Sequence, residues 1–153
     1  GLPISKNVLV FWERTGESGD PNLIDAQAEV VISLCRSLVD SSIQFTVGWN
    51  DTDRNLCITH RIREMDEFVG IIPRLLRATG AKEGMSGAGL LIQTRSEELC
   101  AHMVYIAETP QGDVMEMQRY GHVTMLLCGD TALDGAVCFN ENDYIKQLTE
   151  IEI

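Results

Sequence analysis

The sequence is poor in basic residues and has no long hydrophobic run. It contains 12 Lys and Arg against 23 Asp and Glu, which gives a formal net charge of −11 at pH 7. A chain this acidic repels nucleic acid and anionic lipid, so binding through phosphate contacts is excluded. No stretch approaches the roughly 18 apolar residues of a membrane span, and the N-terminus lacks the basic-then-apolar plan of a signal peptide. We expect a soluble domain that favours basic partners or metal ions.

Paired cysteines are also absent. The five Cys residues are an odd number, widely spaced and without a CxxC pair, which argues against structural zinc and against a disulfide framework. Most of them stand in apolar runs, where a free Cys behaves as a small buried hydrophobe. This usage predicts a reducing, cytoplasmic environment.

The size of the chain predicts one domain. It has 153 residues, of which 44% are hydrophobic and 23% charged, near the averages for globular domains. It begins Gly1-Leu2-Pro3 and runs almost directly into a predicted strand. We therefore expect residues 1–153 to be a single domain and a fragment of a longer protein.

Apolar runs alternate with amphipathic stretches along the chain. The runs predict strands, and apolar residues at three- and four-residue spacings predict helices. Asp20 and Asp113 are the predicted caps of two helices, and Pro73 should kink or divide another. The predicted strands are 7–12, 44–49, 55–59, 103–107, 123–128 and 136–139, and the predicted helices are 21–40, 65–79, 90–98, 113–120 and 141–148.

This alternation predicts an α/β fold. Parallel strands need crossover connections, so the sheet should be doubly wound and mainly parallel, with helices on both faces. The hairpin formed by 44–49 and 55–59 adds one antiparallel edge strand. Ligands of such sheets bind beyond the carboxyl ends of the strands, so the loops after Trp12, Ala107 and Cys128 are the places to seek a function.

The loop after the first strand does not have the sequence of a nucleotide site. It lacks G-x-G-x-x-G and the G-K-[ST] ending, and it carries Glu13, Glu17 and Asp20, which would repel a phosphate. The three histidines, His60, His102 and His122, lie in no recognised catalytic motif.

The order of these elements resembles a known family. A buried strand ending in an acid is followed by the helical stretch DAQAEVVISL at 25–34, the hairpin strand FTVGWND at 45–51 and a strand ending YIAET at 105–109. This resembles the von Willebrand factor A-like portion of the bacterial family catalogued as domain of unknown function 58. The resemblance implies a Rossmann-type three-layer fold and a non-catalytic interaction or assembly module. It also implies a MoxR-type AAA+ ATPase as partner, and a parent protein anchored in the cell membrane.

The resemblance also implies where a site would lie. Many A-like domains hold a divalent ion through Asp-x-Ser-x-Ser after the first strand, a middle Thr and a later Asp. On this chain those positions fall on Glu13, Thr15, Glu17, Ser86 and Glu108. Glu replaces Asp twice, and Glu17 stands where a hydroxyl is expected, so the implied site is a degenerate metal site or a partner-binding edge, with no resident cofactor or at most magnesium.

Two other interpretations remain open from the sequence. The same carboxylates could serve a metal-dependent hydrolase, with an ion as Lewis acid. Alternatively, the domain could be purely structural, with no occupied site. Met115, Met117 and Tyr120 lie on a short predicted helix with limited room to bury them all. We expect them to pack in the core, with an interface as the alternative.

Overall fold

The computed structural model describes residues 8–14, 21–51, 56–77, 86–94, 102–108, 113–128 and 136–139. These residues form six strands: β1 (Val8–Glu13), β2 (Phe45–Asp51), β3 (Leu56–Ile62), β4 (His102–Ala107), β5 (His122–Cys128) and β6 (Ala136–Phe139). They also form four helices: α1 (Pro21–Asp40), α2 (Met65–Leu75), α3 (Gly87–Thr94) and α4 (Val114–Met117).

The strands form one mixed sheet in the order β3-β2-β1-β4-β5-β6. Only β3 runs antiparallel, paired with β2, and the other neighbouring strands are parallel. All six residues of β1 are buried, as a continuous apolar run in a central strand requires. The predicted α/β class and the antiparallel edge hairpin are confirmed.

Side chains alternate between the two faces of the sheet, and helices cover both. Val10 and Trp12 of β1 pack in a core with α1 and α2, whereas Leu9 and Phe11 pack in a second core with α3 and α4. On the first face the indole Nε1 of Trp12 donates to Oε1 of Gln27 in α1 at 3.0 Å, so the buried amide is paired. Glu13 follows Phe11 by two residues, so its side chain lies on the same face of the sheet and points toward α3.

Several predicted boundaries differ from the structure. Helix α2 is not divided at Pro73 but ends two residues later, at Leu75, four residues before the predicted end. Pro73 lacks the N–H that would bind the carbonyl of Val69. Helix α3 begins at Gly87, three residues before the predicted start. Asp113 stands at the cap position of α4 but makes no side-chain capping bond, because its carboxylate binds Ser86 instead.

Other predictions fall partly or wholly outside the described residues. Asp20 and the predicted helix at 141–148 belong to this group. Met117 of α4 is fully buried, but Met115 is 53% exposed. Tyr120, which follows α4 in a turn, is exposed too. Within the described ranges, no helix is long and apolar enough to cross a membrane.

Candidate functional site

Glu13 ends the central strand and is fully buried, with 0% of its surface exposed. Its Oε2 accepts hydrogen bonds from the backbone N–H of Gly87 at 2.6 Å and from Nδ2 of Asn50 at 3.0 Å. Its Oε1 accepts from the backbone N–H of Ala88 at 3.0 Å and from the hydroxyl of Tyr105 at 3.1 Å. A carboxylate has about four acceptor positions, so these four donors use its capacity.

Two of those donors are the first amides of α3. The initial N–H groups of a helix have no partner within the helix and must be satisfied from outside it. The carboxylate of Glu13 accepts hydrogen bonds from the N–H groups of Gly87 and Ala88. The hydroxyl oxygen of Ser86 accepts from the N–H of Gly89 at 2.9 Å. The N-terminus of α3 is therefore closed by groups of the chain itself. We call Glu13, Asn50, Tyr105 and residues 86–89 the Glu13 clasp.

Two opposing effects act on the pKa of Glu13. Burial removes the carboxylate from water and raises the pKa above its ordinary value, and this is the larger effect. The hydrogen bonds from Ala88, Asn50, Gly87 and Tyr105 lower it, and the positive end of a helix also favours a negative charge. The net pKa is raised, so the hydrogen bonds of the clasp offset the effect of burial only in part.

Close packing fixes the geometry of the clasp at Gly87. A Cβ atom at this position would overlap the side-chain amide of Asn50 and Oε2 of Glu13. Only glycine lets the helix backbone approach these two buried side chains closely enough for its amides to be bound. Asn50 is itself buried, and its Oδ1 has no hydrogen-bond partner among the described residues.

Ser86 connects the clasp to α4. Its hydroxyl donates to Oδ2 of Asp113 at 2.7 Å while its oxygen accepts from Gly89. The backbone of α3 lies close to Asp113, since a Cβ on Gly89 would be 2.8 Å from the same Asp113 oxygen. The serine therefore caps α3 and anchors α4 beside it.

The structure brings together two of the five sequence-derived candidates. Glu13 and Ser86 meet at the start of α3, although they lie 73 positions apart in the sequence. Glu108 follows Ala107, which is the register partner of Glu13 in β4, so it lies just beyond the same sheet edge and is partly exposed. Thr15 and Glu17 lie outside the described residues.

Asn50, Tyr105, Gly87 and Asp113 are the members of this site that the sequence reasoning missed. A signal for Tyr105 exists, because it lies on the same face as Glu13, two positions before the end of its strand. No comparable signal marks Asn50 or Asp113, whose contacts depend on how β2 and α4 are placed.

Glu13 and Ser86 fit poorly to a magnesium ion. The Glu13 oxygens are occupied by N–H and O–H donors, and the helix N-terminus beside them repels a cation. The Ser86 oxygen likewise accepts an amide. No three His, Cys, Asp or Glu side chains are grouped for metal binding in the described part of the chain.

The histidines lie away from the clasp. His102 and His122 are register partners at the amino ends of β4 and β5, at the opposite end of the strands from Glu13. Their rings meet edge to face, with their centroids 4.9 Å apart. The ring of His60 stacks on Trp49 at 5.4 Å. Burial, together with the nearby charge of Arg74, lowers the pKa of His60. None of the three histidines contributes to a site with Glu13.

The comparisons with known proteins assign no family. The chain matches no protein-family model, and a search of curated proteins gives no significant match.

Proposed function

We propose that this protein is a non-catalytic interaction module that binds a protein partner along the carboxyl edge of its sheet. The observation that carries the proposal is the hydrogen bonding of Glu13, whose carboxylate accepts four donors from the chain itself. A carboxylate held in this way positions structure, whereas a catalytic carboxylate must be open to a proton, a metal or a substrate.

The clasp gives that edge a fixed shape. Glu13 is fully buried and does not contact a partner. Its role is to hold α3 against β1, β2 and β4, while Ser86 holds α4 beside α3. The contact surface on this proposal is the rim around the clasp, which includes the partly exposed Glu108. The carboxylate of Glu108 favours a basic surface on the partner.

The resemblance drawn from the sequence suggests the class of partner. A mainly parallel sheet with an antiparallel edge hairpin and helices on both faces supports a von Willebrand factor A-like arrangement. We include that arrangement in the proposal, with a MoxR-type AAA+ ATPase as the first partner to test.

The test measures binding of the domain to a MoxR-type ATPase by biolayer interferometry. Glu108→Ala combined with Glu13→Gln should raise Kd at least about tenfold, because it removes one rim charge and loosens the support of the rim. Asp40→Asn is the matched control, since Asp40 is exposed at the end of α1, near the opposite edge of the sheet. Unchanged Kd in the double variant, with the wild-type circular dichroism spectrum, would overturn the assignment of the site.

A further inference from the structure

Helix α2 carries more apolar surface than the core covers. Phe68, Ile71 and Leu75 are buried against the sheet. A second row, Met65, Val69, Ile72 and Leu76, runs along the flank of the helix, and we call it the α2 seam. Val69 is 53% and Leu76 50% exposed, while Met65 and Ile72 are half-buried against the core. The seam spacing of four, three and four residues is that of a helix-pairing surface.

The charges of α2 are separated along its axis. Asp66 and Glu67 lie in the first turn and Arg74 in the last, with Arg77 just beyond. Glu67 pairs with Arg63 at 3.5 Å. Asp66 and Arg77 are exposed at opposite ends of the helix, and neither forms an ion pair with another described residue.

We propose that the α2 seam binds the α2 seam of a second copy of this chain, with the two helices antiparallel. The spacing of the seam is the same in both directions, so placing Met65 opposite the partner's Leu76 also places Val69 opposite the partner's Ile72. The same arrangement brings Asp66 within one helical turn of the partner's Arg77. The contact repeats on both sides of a two-fold axis, as a closed homodimer requires.

Electrostatics favour a second copy as the occupant. The chain carries a net charge of −11, so two copies repel each other over most of their surfaces. Residues 63–77 contain three acidic and three basic residues and are locally neutral. The seam is therefore a place where two copies can meet without that repulsion, and the antiparallel arrangement also opposes their helix dipoles. This inference is independent of the proposed carboxyl-edge function.

The first test is sedimentation velocity over about 5 to 500 µM protein, the range expected for a small, single-helix interface. The weight-average mass should rise from that of the monomer toward twice that value. Leu76→Glu should raise the dimer dissociation constant at least about tenfold. Met115→Glu is the matched control, because Met115 is as exposed as Val69 but lies on α4, and it should dimerise like the wild type.

Charge reversal distinguishes this geometry from nonspecific association. Asp66→Arg and Arg77→Asp should each weaken the dimer, and the double variant should restore it, because reversing both charges recreates the pair across the axis. A monomer at every concentration would overturn the proposal. Equal losses in Leu76→Glu and Met115→Glu, or a double variant no better than the single ones, would overturn it as well.

Discussion

At the residue scale, the contribution of Glu13 to stability depends on the balance between the cost of burial and the gain from hydrogen bonding. A buried ionised carboxylate is costly unless its oxygens are bound. The four donors around Glu13 meet that need, and replacing it with Gln would set an NH₂ group against two of them. Whichever way the amide points, a backbone N–H of α3 then loses its acceptor. We expect Glu13→Gln to lower the free energy of unfolding by about 1–3 kcal/mol, measured by urea unfolding against Asp40→Asn.

The cost of Glu13→Gln should depend on pH. Burial raises the folded-state pKa of Glu13 above its ordinary value of 4.5, so the folded state holds the proton more tightly than the unfolded state. The stability gained from that proton is fully present below the unfolded pKa and is lost as pH rises through the folded pKa. The advantage of wild type over Glu13→Gln, which cannot titrate there, should therefore shrink over this window. An advantage that grows with pH would mean that hydrogen bonding outweighs burial.

The sequence predicted Glu13 as a site residue but not what it does. An acid at the end of a buried strand is visible in the sequence, and the resemblance suggested a metal or partner role for it. Its partners Asn50 and Tyr105 are 37 and 92 positions away, so the hydrogen bonds appear only after the strands are aligned. The sequence contains no local sign that the acid caps a helix.

At the element scale, α3 is a helix that depends on its surroundings. It has eight residues and two glycines, which is short and weak for an isolated helix. Its start at Gly87 is determined by the acceptors that Glu13 and Ser86 supply. The sequence placed the start at Leu90, because the glycines resemble a loop. By contrast, the long apolar periodicity of α1 was sufficient to predict its extent.

Two Gly→Ala substitutions separate helix propensity from packing. At Gly70, on the exposed side of α2, no atom lies within 4 Å of an added Cβ, so alanine should stabilise by about 0.5–1 kcal/mol. At Gly87 the added Cβ would overlap Asn50 and Glu13, and the cost should be about 1–3 kcal/mol. Thermal unfolding of both variants checks this. Equal stabilisation by the two substitutions would mean that the clasp is looser than described.

At the scale of the whole molecule, the apolar runs predicted the strands well. The prediction for β6 matches the observed Ala136–Phe139. Strand β1 is displaced by one residue, and β4 and β5 each begin one residue earlier than predicted. The hairpin strands β2 and β3 end two and three residues later than predicted. Buried parallel strands are continuous apolar runs, which is a strong signal. The convergence of Glu13, Ser86 and Asp113 on one point could not be predicted, because it depends on the strand order and on the placement of two short helices.

The central claim is that the Glu13 carboxylate is committed to α3 and is not available to a metal ion. Calorimetric titration with magnesium and manganese, up to about 10 mM ion, tests it most directly. The account predicts no saturable heat in wild type and the same baseline in Glu13→Gln. Saturable binding in wild type that Glu13→Gln abolishes would contradict it, and would favour the metal-dependent hydrolase instead.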